Sequence, residues 1–343
     1  MDSITQFVLG AAIGEVVAGK KAGNRALLWA GFAGTIPDLD ILFNPFFTEL
    51  DNLSIHRGFS HSLIFAFIAA PLIAWPVNRL HQHRCTATYR DWLNLFFLGI
   101  FTHPLLDAFT LYGTQLFLPL SNYRVALNSI SIIDPGYTLP LLMSTIAVLF
   151  FRRNKPGYAF KAAKWGLIIS NIYLALTCLN KWHLEDIFKR NLDAQNIHPT
   201  QSMSNPVLFS NLLWCSVAKD DSNCYIGYYS LLQNSKNVKY ESFPICDSLN
   251  TMIADRDGLK KLQWFSKGYY ILEKRNDTLC FFDVRFGKSD LRISHENEKA
   301  FVFYFKIPHP DKKPLVIQQY ISRKDMNVER FFDQLGHRIF HEE

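Results

Sequence analysis

Three short polar runs in an otherwise apolar stretch hold the side chains able to do chemistry. Ile36-Pro37-Asp38-Leu39-Asp40 sets two carboxylates one residue apart, so an extended turn after Pro37 would point both at one ion. Ile55-His56-Arg57-Gly58-Phe59-Ser60-His61-Ser62 sets two imidazoles five apart, a poor fit to a single helical face. They are expected to flank a tight Arg57-Gly58 turn, with Ser60 or Ser62 capping the next helix. Thr102-His103-Pro104-Leu105-Leu106-Asp107 puts an imidazole and a carboxylate four apart, hence on one helical face. Pro104 removes a backbone donor there and is expected to bend the helix and open that face.

Together Asp38, Asp40, His56, His61, His103 and Asp107 make a mixed N/O donor set. Such a set suits Zn²⁺, Mn²⁺ or Fe, and six side chains are enough for one ion or two. The reaction it points to is hydrolysis of an ester or phosphoester by metal-activated water. Arg57 would neutralise a phosphate or a developing oxyanion, or else serve as an interfacial cation. Asp134 would orient a ligand or supply negative charge at a helix N-terminus. Each run alone also reads as ordinary structure: a solvated turn, a helix start, an interhelical pair. Their coincidence on one face is what points to a site. His81 and His83, in an Arg-rich loop, are expected to face solvent.

The elements that must position these residues divide the chain in two. Across 343 residues, 49% are hydrophobic and mean hydropathy is +0.02. Residues 1–182 hold 14 Lys/Arg and 9 Asp/Glu, whereas 183–343 hold 22 and 21, ordinary soluble usage. Six apolar stretches fill the first half: Ile4–Ala18, Ala26–Ile36, Leu63–Val77, Trp92–Leu111, Ile132–Phe151 and Trp165–Leu179. Gly10, Gly14, Ala30 and Gly34 give the first pair the small residues that let helices approach closely in lipid. The expectation is a polytopic α-helical membrane domain over 1–182, with about six short helices, followed by a soluble α+β domain over 183–343.

Loop charge sets the orientation. Alternate loops carry 11 Lys/Arg against 2 in the intervening ones, which makes the basic set cytoplasmic. The three polar runs and residues 183–343 then lie on the outer, periplasmic side. The net charge of +6 is concentrated between apolar runs, as a topology signal rather than a nucleic-acid surface. Cys215, Cys224, Cys246 and Cys280, in an oxidising compartment, are expected to include a disulfide. Residues 268–286 read as a β-hairpin turning at Asn276-Asp277, with further strands at Tyr225–Leu232 and Phe301–Ile307. Met326, Phe331, Phe332, Leu335 and Ile339 read as a closing amphipathic helix. Phosphate loops, serine-hydrolase elbows and His-Glu-x-x-His are absent, which argues against nucleotide-driven transport, serine hydrolysis and zincin proteolysis.

The polar runs, with Asp2-Ser3-Ile4-Thr5-Gln6 and Ile133-Asp134-Pro135, resemble the motifs of the YdjM-type family over about residues 1–180. These are LexA-regulated inner-membrane proteins for which a metal-dependent hydrolase activity is inferred. The resemblance implies a bacterial inner-membrane location and carries the ligand role to Asp38, Asp40, His56, His61, His103 and Asp107. Relatives often have Thr-His where this chain has Thr5-Gln6, so one imidazole is replaced by a weak metal ligand. The expected partners are the lipid bilayer and a lipid-like substrate. The alternative is a metal-binding membrane protein without turnover, a transporter or sensor.

Overall fold

The computed structural model describes residues 1–276, 278–288, 301–321 and 328–340. The apolar half folds as helices: α1 Ser3–Ala22, α2 Asn24–Thr35, a 3-10 helix Ile36–Phe46, α3 Glu49–Ile55, α4 Leu63–His81, α5 Tyr89–Asp107, α6 Pro135–Phe151 and α7 Pro156–Ala194. All six apolar stretches lie mainly on helices, although Trp92–Leu111 runs past the end of α5 and Ile132–Phe151 begins before α6. By length and composition, three segments among the described residues can cross a membrane: Asn24–Phe46, Leu63–His81 and Pro156–Ala194. Pro135–Phe151 is a shorter apolar helix. The expected six crossings are not met by that measure, because Gln6, Glu15 and Lys20 dilute α1 and Arg90, Asp91 and Asp107 dilute α5.

Small residues hold the bundle together, as their spacing implies. A Cβ built on Gly10 would lie 2.1 Å from the Ala30 carbonyl oxygen, and one on Gly34 2.4 Å from that of Gln6. The backbones of α1 and α2 therefore touch where any side chain would wedge them apart. Ala26, Ala30 and Ala33 of α2 then pack with Ala66, Ala70 and Ala74 of α4 and with Trp92, Leu95, Phe96 and Ile100 of α5. Pro104 falls in the last turn of α5, where the helix ends at Asp107.

The polar half carries two four-stranded antiparallel sheets in simple meander order. The first is β1 Gln201–Pro206, β2 Leu213–Lys219, β3 Asn223–Ser230 and β4 Tyr240–Pro244. The second is β5 Tyr270–Arg275, β6 Thr278–Asp283, β7 Phe303–Ile307 and β8 Gln318–Ile321. The expected hairpin is β5–β6, with Arg275 opposite Thr278; Asp277 of its turn lies outside the described residues. Between the sheets in sequence, α8 Arg256–Phe265 starts on Asp255, whose Oδ1 accepts from the Gly258 amide at 3.1 Å. The closing helix is α9 Val328–Phe340, with Phe331, Leu335 and Ile339 buried; Met326 lies outside the described residues.

No disulfide joins the cysteines: all six are free thiols. The sheet registers give the reason. Cys215 faces Asn205 and Tyr228, Cys224 faces Lys219 and Phe243, and Cys280 faces Glu273 and Lys306, so no strand pairing sets cysteine against cysteine. Burial pushes Cys215 and Cys224 up to about 12. The cysteines therefore lend no support to an oxidising location.

The chain forms two compact units. The first is Met1–Phe43, Ile55–Asn180 and Leu208–Ser210. The second is Asn44–Ser54, Lys181–Val207 and the chain from Asn211 onward. The eleven-residue arm 44–54, between the first two polar runs, thus belongs to the second unit rather than the first.

Candidate metal centre

Four of the six expected ligands converge. One donor atom each from Asp38, His61, His103 and Asp107 lies within 4.8 Å of the others. His61 Nε2 and His103 Nε2 are 3.1 Å apart, and Asp38 Oδ1 lies 3.3 and 3.4 Å from them. Asp107 Oδ2 stands slightly farther, at 3.6 and 3.7 Å from the same nitrogens. A tetrahedron with bonds of about 2.0–2.1 Å has edges of about 3.3–3.4 Å, and the five spacings that involve an imidazole, 3.1–3.7 Å, bracket that value. His61, His103 and Asp107 are fully buried and the Asp38 side chain is 20% exposed.

The outer hydrogen bonds fix which nitrogens face inward. His103 Nδ1 donates to the Gly34 carbonyl oxygen at 2.6 Å, which leaves its Nε2 lone pair toward the cluster. His61 Nδ1 sits 3.0 Å from Ser60 Oγ, which donates to Asp40 Oδ2 at 3.2 Å. That relay keeps the His61 proton on Nδ1 and its Nε2 lone pair inward as well, the arrangement metal-binding histidines show. Arg57 and the Met1 amino group balance Asp107, whereas two inward lone pairs and the Asp38 carboxylate meeting in the same buried space favour a further cation among them. The residues present fit a divalent ion.

Asp40 and His56 stand outside this group, behind it. Asp40 Oδ1 pairs with His56 Nδ1 at 3.1 Å, and Oδ2 accepts from the Arg57 amide at 3.0 Å. The segment holding both carboxylates is a 3-10 helix, not the extended turn expected. At three residues per turn, positions two apart point in different directions, so Asp38 reaches the cluster while Asp40 turns to the backbone of the next run.

Arg57 is 5% exposed, which removes the interfacial reading. Its Nε is 3.1 Å from Asp107 Oδ2, Nη1 donates to Thr110 Oγ1 at 3.0 Å, and its guanidinium lies 4.9 Å from the Tyr112 ring. Its φ of 58° is left-handed, rare for a non-glycine residue. Asp40 on its amide and the Gln115 amide donating to its carbonyl at 3.1 Å hold that conformation. Gly58 follows in the tight turn, and Ser62 Oγ caps α4 by accepting from the Phe65 amide at 3.2 Å.

Asp134 has a different place. It caps α6, with Oδ1 accepting from the Gly136 amide and from Tyr173 Oη, each at 2.9 Å. None of these bonds reaches the four clustered residues. His81 is buried, not solvent-facing: its Nε2 accepts from Trp29 Nε1 at 3.0 Å and its ring stacks on Trp92. Gln6 joins the site as an orienting donor, its Nε2 donating to Asp107 Oδ1 at 3.0 Å and to the His103 carbonyl at 3.3 Å. The Met1 amino group also contacts Asp107 Oδ1. Ser60, Thr110 and the Gly34 carbonyl are not legible as site groups in the sequence, because a backbone oxygen or a lone hydroxyl leaves no mark in residue type.

A bundle of apolar helices that buries a His/Asp cluster defines a membrane protein with the makings of a metal centre. The chain belongs to the YdjM family: the pattern described as YdjM inner membrane protein matches residues 1–184. Over 220 residues it is 28% identical to the uncharacterized protein YfhP of Bacillus subtilis (strain 168), covering 58% of this chain and 62% of that one. Over 96 residues it is 35% identical to inner membrane protein YbcI of Escherichia coli (strain K12), covering 28% of this chain and 53% of that one. The chain thus spans about three-fifths and about half of these curated relatives. No solved structure matches it.

Proposed function

We propose that the chain is a membrane-bound hydrolase that holds one divalent ion, Zn²⁺ or Mn²⁺, on Asp38, His61, His103 and Asp107. The observation that carries this is the pair of Nε2 atoms 3.1 Å apart, each with its other nitrogen held by an outer partner. When bound, the ion supplies a Lewis acid and acidifies water toward neutrality. The chain's own groups divide the remaining work. Asp107 Oδ2 faces both the imidazoles and the Arg57 guanidinium, 3.1 Å from its Nε, so it would link the ion to that cation. Arg57, buried and braced by Thr110 and Tyr112, receives negative charge developing on an ester or phosphoester oxygen. Asp40 and Gly34 hold the two imidazoles in register.

The substrate class follows from what flanks the site. Ile41, Leu42 and Phe43, immediately after Asp40, are 51%, 65% and 58% exposed. An apolar strip beside a charged centre favours an amphiphile whose tail stays in lipid while its ester enters the site. The loop charge asymmetry supports a periplasmic site and a periplasmic polar half, with the apolar helices crossing six times. Reporter fusions after Lys155 and after Phe340 should then report opposite sides.

A second reading has its own observation: four protein atoms at tetrahedral spacing resemble a closed binding site more than a catalytic one with an open position. It makes the chain a metal sensor or transporter. A conduction path is poorly furnished, since Glu15 pairs with Arg152 and Ser170 donates to the Tyr137 carbonyl. The separating experiment loads purified protein with Zn²⁺ or Mn²⁺ and offers lipid esters and phosphoesters. Product release that fails in His103→Ala supports the hydrolase; stoichiometric metal without turnover on either substrate class supports the binder.

A further inference from the structure

A cleft of about 410 Å³ opens in the apolar half on a face that the metal centre does not use. Its walls include Leu9 and Ile13 of α1, Leu98 and Leu105 of α5, and Leu167 and Leu174 of α7. Leu98, Thr102 and Leu105 recur at helical spacing on one side of α5, whereas His103 and Asp107 share another. Three polar side chains line the cleft as well: Thr102, Tyr137 and Asn171. Polar groups within a membrane domain are costly, and two of these have bonding capacity left over. Tyr137 is 2% exposed, and its Oη makes no hydrogen bond among the described residues. Asn171, exposed on the spanning helix α7, donates one amide N–H to the Leu167 carbonyl at 2.8 Å and keeps the other. Ser170 Oγ donates to the Tyr137 carbonyl at 2.9 Å, which brings Tyr137 and Asn171 to one level. Two unused donors thus line one apolar cleft, where a donor left unmade is destabilising.

We propose that this cleft binds one esterified acyl lipid, its ester carbonyl on Tyr137 Oη and Asn171 Nδ2 and its chain along the leucines. The walls select the ester. None of the described side chains lining the cleft carries a charge, so a free carboxylate would enter without a counter-ion. A neutral carbonyl needs only the two donors. Depth agrees with this. Tyr137 is the third residue of α6 and Thr102 lies five residues before the end of α5. At 1.5 Å per residue these groups sit about 3–8 Å inside the helix ends. A bilayer with about 30 Å of hydrocarbon holds its ester groups near those ends, not at its centre. The volume is within the range of about 300–1,000 Å³ that small-molecule sites occupy. The metal centre plays no part in this binding.

The test is lipid binding by the full-length protein in detergent, titrated with dioleoylphosphatidylcholine and followed by native mass spectrometry. The dialkyl ether analogue of that lipid has the same chains and headgroup but no carbonyl. Wild type should take up one ester lipid and hold the ether analogue about three- to tenfold more weakly, for want of neutral hydrogen bonds. Tyr137→Phe keeps the buried ring, and Asn171→Leu changes an exposed position, so neither disturbs the packing. Each should bring the ester lipid toward the affinity of the ether and leave the ether itself unchanged. Ester and ether bound alike by wild type would overturn the proposal, as would variants that weaken both lipids equally. Oleate held in preference to the ester would make the cleft a fatty-acid site and overturn it too.

Discussion

The apolar half buries histidines at two places, and only one of them is built for a ligand. At one end of α4 and α5, His61 and His103 face two carboxylates, with lone pairs turned inward and Asp107 Oδ2 lacking an aligned donor. At the other end, His81 accepts a hydrogen bond from the Trp29 indole and stacks on Trp92 at 5.5 Å and 27°. Burial alone therefore says little about a histidine. What its ring nitrogens meet decides whether it braces a bundle or waits for an ion: a donor satisfies one, and a second lone pair leaves the other in need of a cation.

The largest way to break this contrast is Arg57→Ala. If Arg57 stabilises developing charge, the variant should keep its metal and lose turnover by about 10²–10³, some 3–4 kcal/mol of barrier. Loss of metal together with activity would make Arg57 a brace instead. Next comes Asp40→Ala, which removes the partner of the Ser60–His61 relay and should weaken metal binding about 10–100-fold without abolishing it. Titration with Zn²⁺ reads this directly.

His81→Phe should do the reverse. It leaves Trp29 Nε1 without its acceptor and should cost about 1–3 kcal/mol of stability, read in thermal unfolding, at unchanged metal content. His83, exposed, is the silent control. The smallest effect concerns thiols. Exposed Cys246 should alkylate at once near pH 8. Cys215 and Cys224, buried and held protonated up to about 12, should react only after denaturation. Because burial raises these thiols, their thiolate fraction stays negligible at any pH well below that value.

Much of the site is legible in the amino-acid sequence. His103 and Asp107 are four apart on a helix, and helical spacing alone puts them together. His61 and Asp38 join them only in the folded chain, since nothing in their spacing brings them there. The misreadings share one cause: residue type does not report local backbone. Asp38 and Asp40 look equivalent in sequence, and the 3-10 helix separates them. His81 looks solvated because it opens an Arg-rich loop, yet two tryptophans distant in sequence enclose it. Cysteine parity says nothing about strand register, which sets each paired-strand thiol opposite another residue type. The arm 44–54 carries no sign that it groups with residues 181 onward, since its partners Lys261 and Gln319 lie more than 200 positions away.

The central claim is that one ion sits among Asp38, His61, His103 and Asp107, and elemental analysis of metal per chain tests it most directly. The wild type, purified without chelator and resupplied with Zn²⁺ or Mn²⁺, should carry one equivalent. Asp38→Ala, His103→Ala and Asp107→Ala should each carry almost none while still inserting in the membrane, because each leaves the ion's charge and geometry incomplete. A wild type with no stoichiometric metal, or ligand variants that keep it, would contradict the account and leave the cluster as a helix-packing contact.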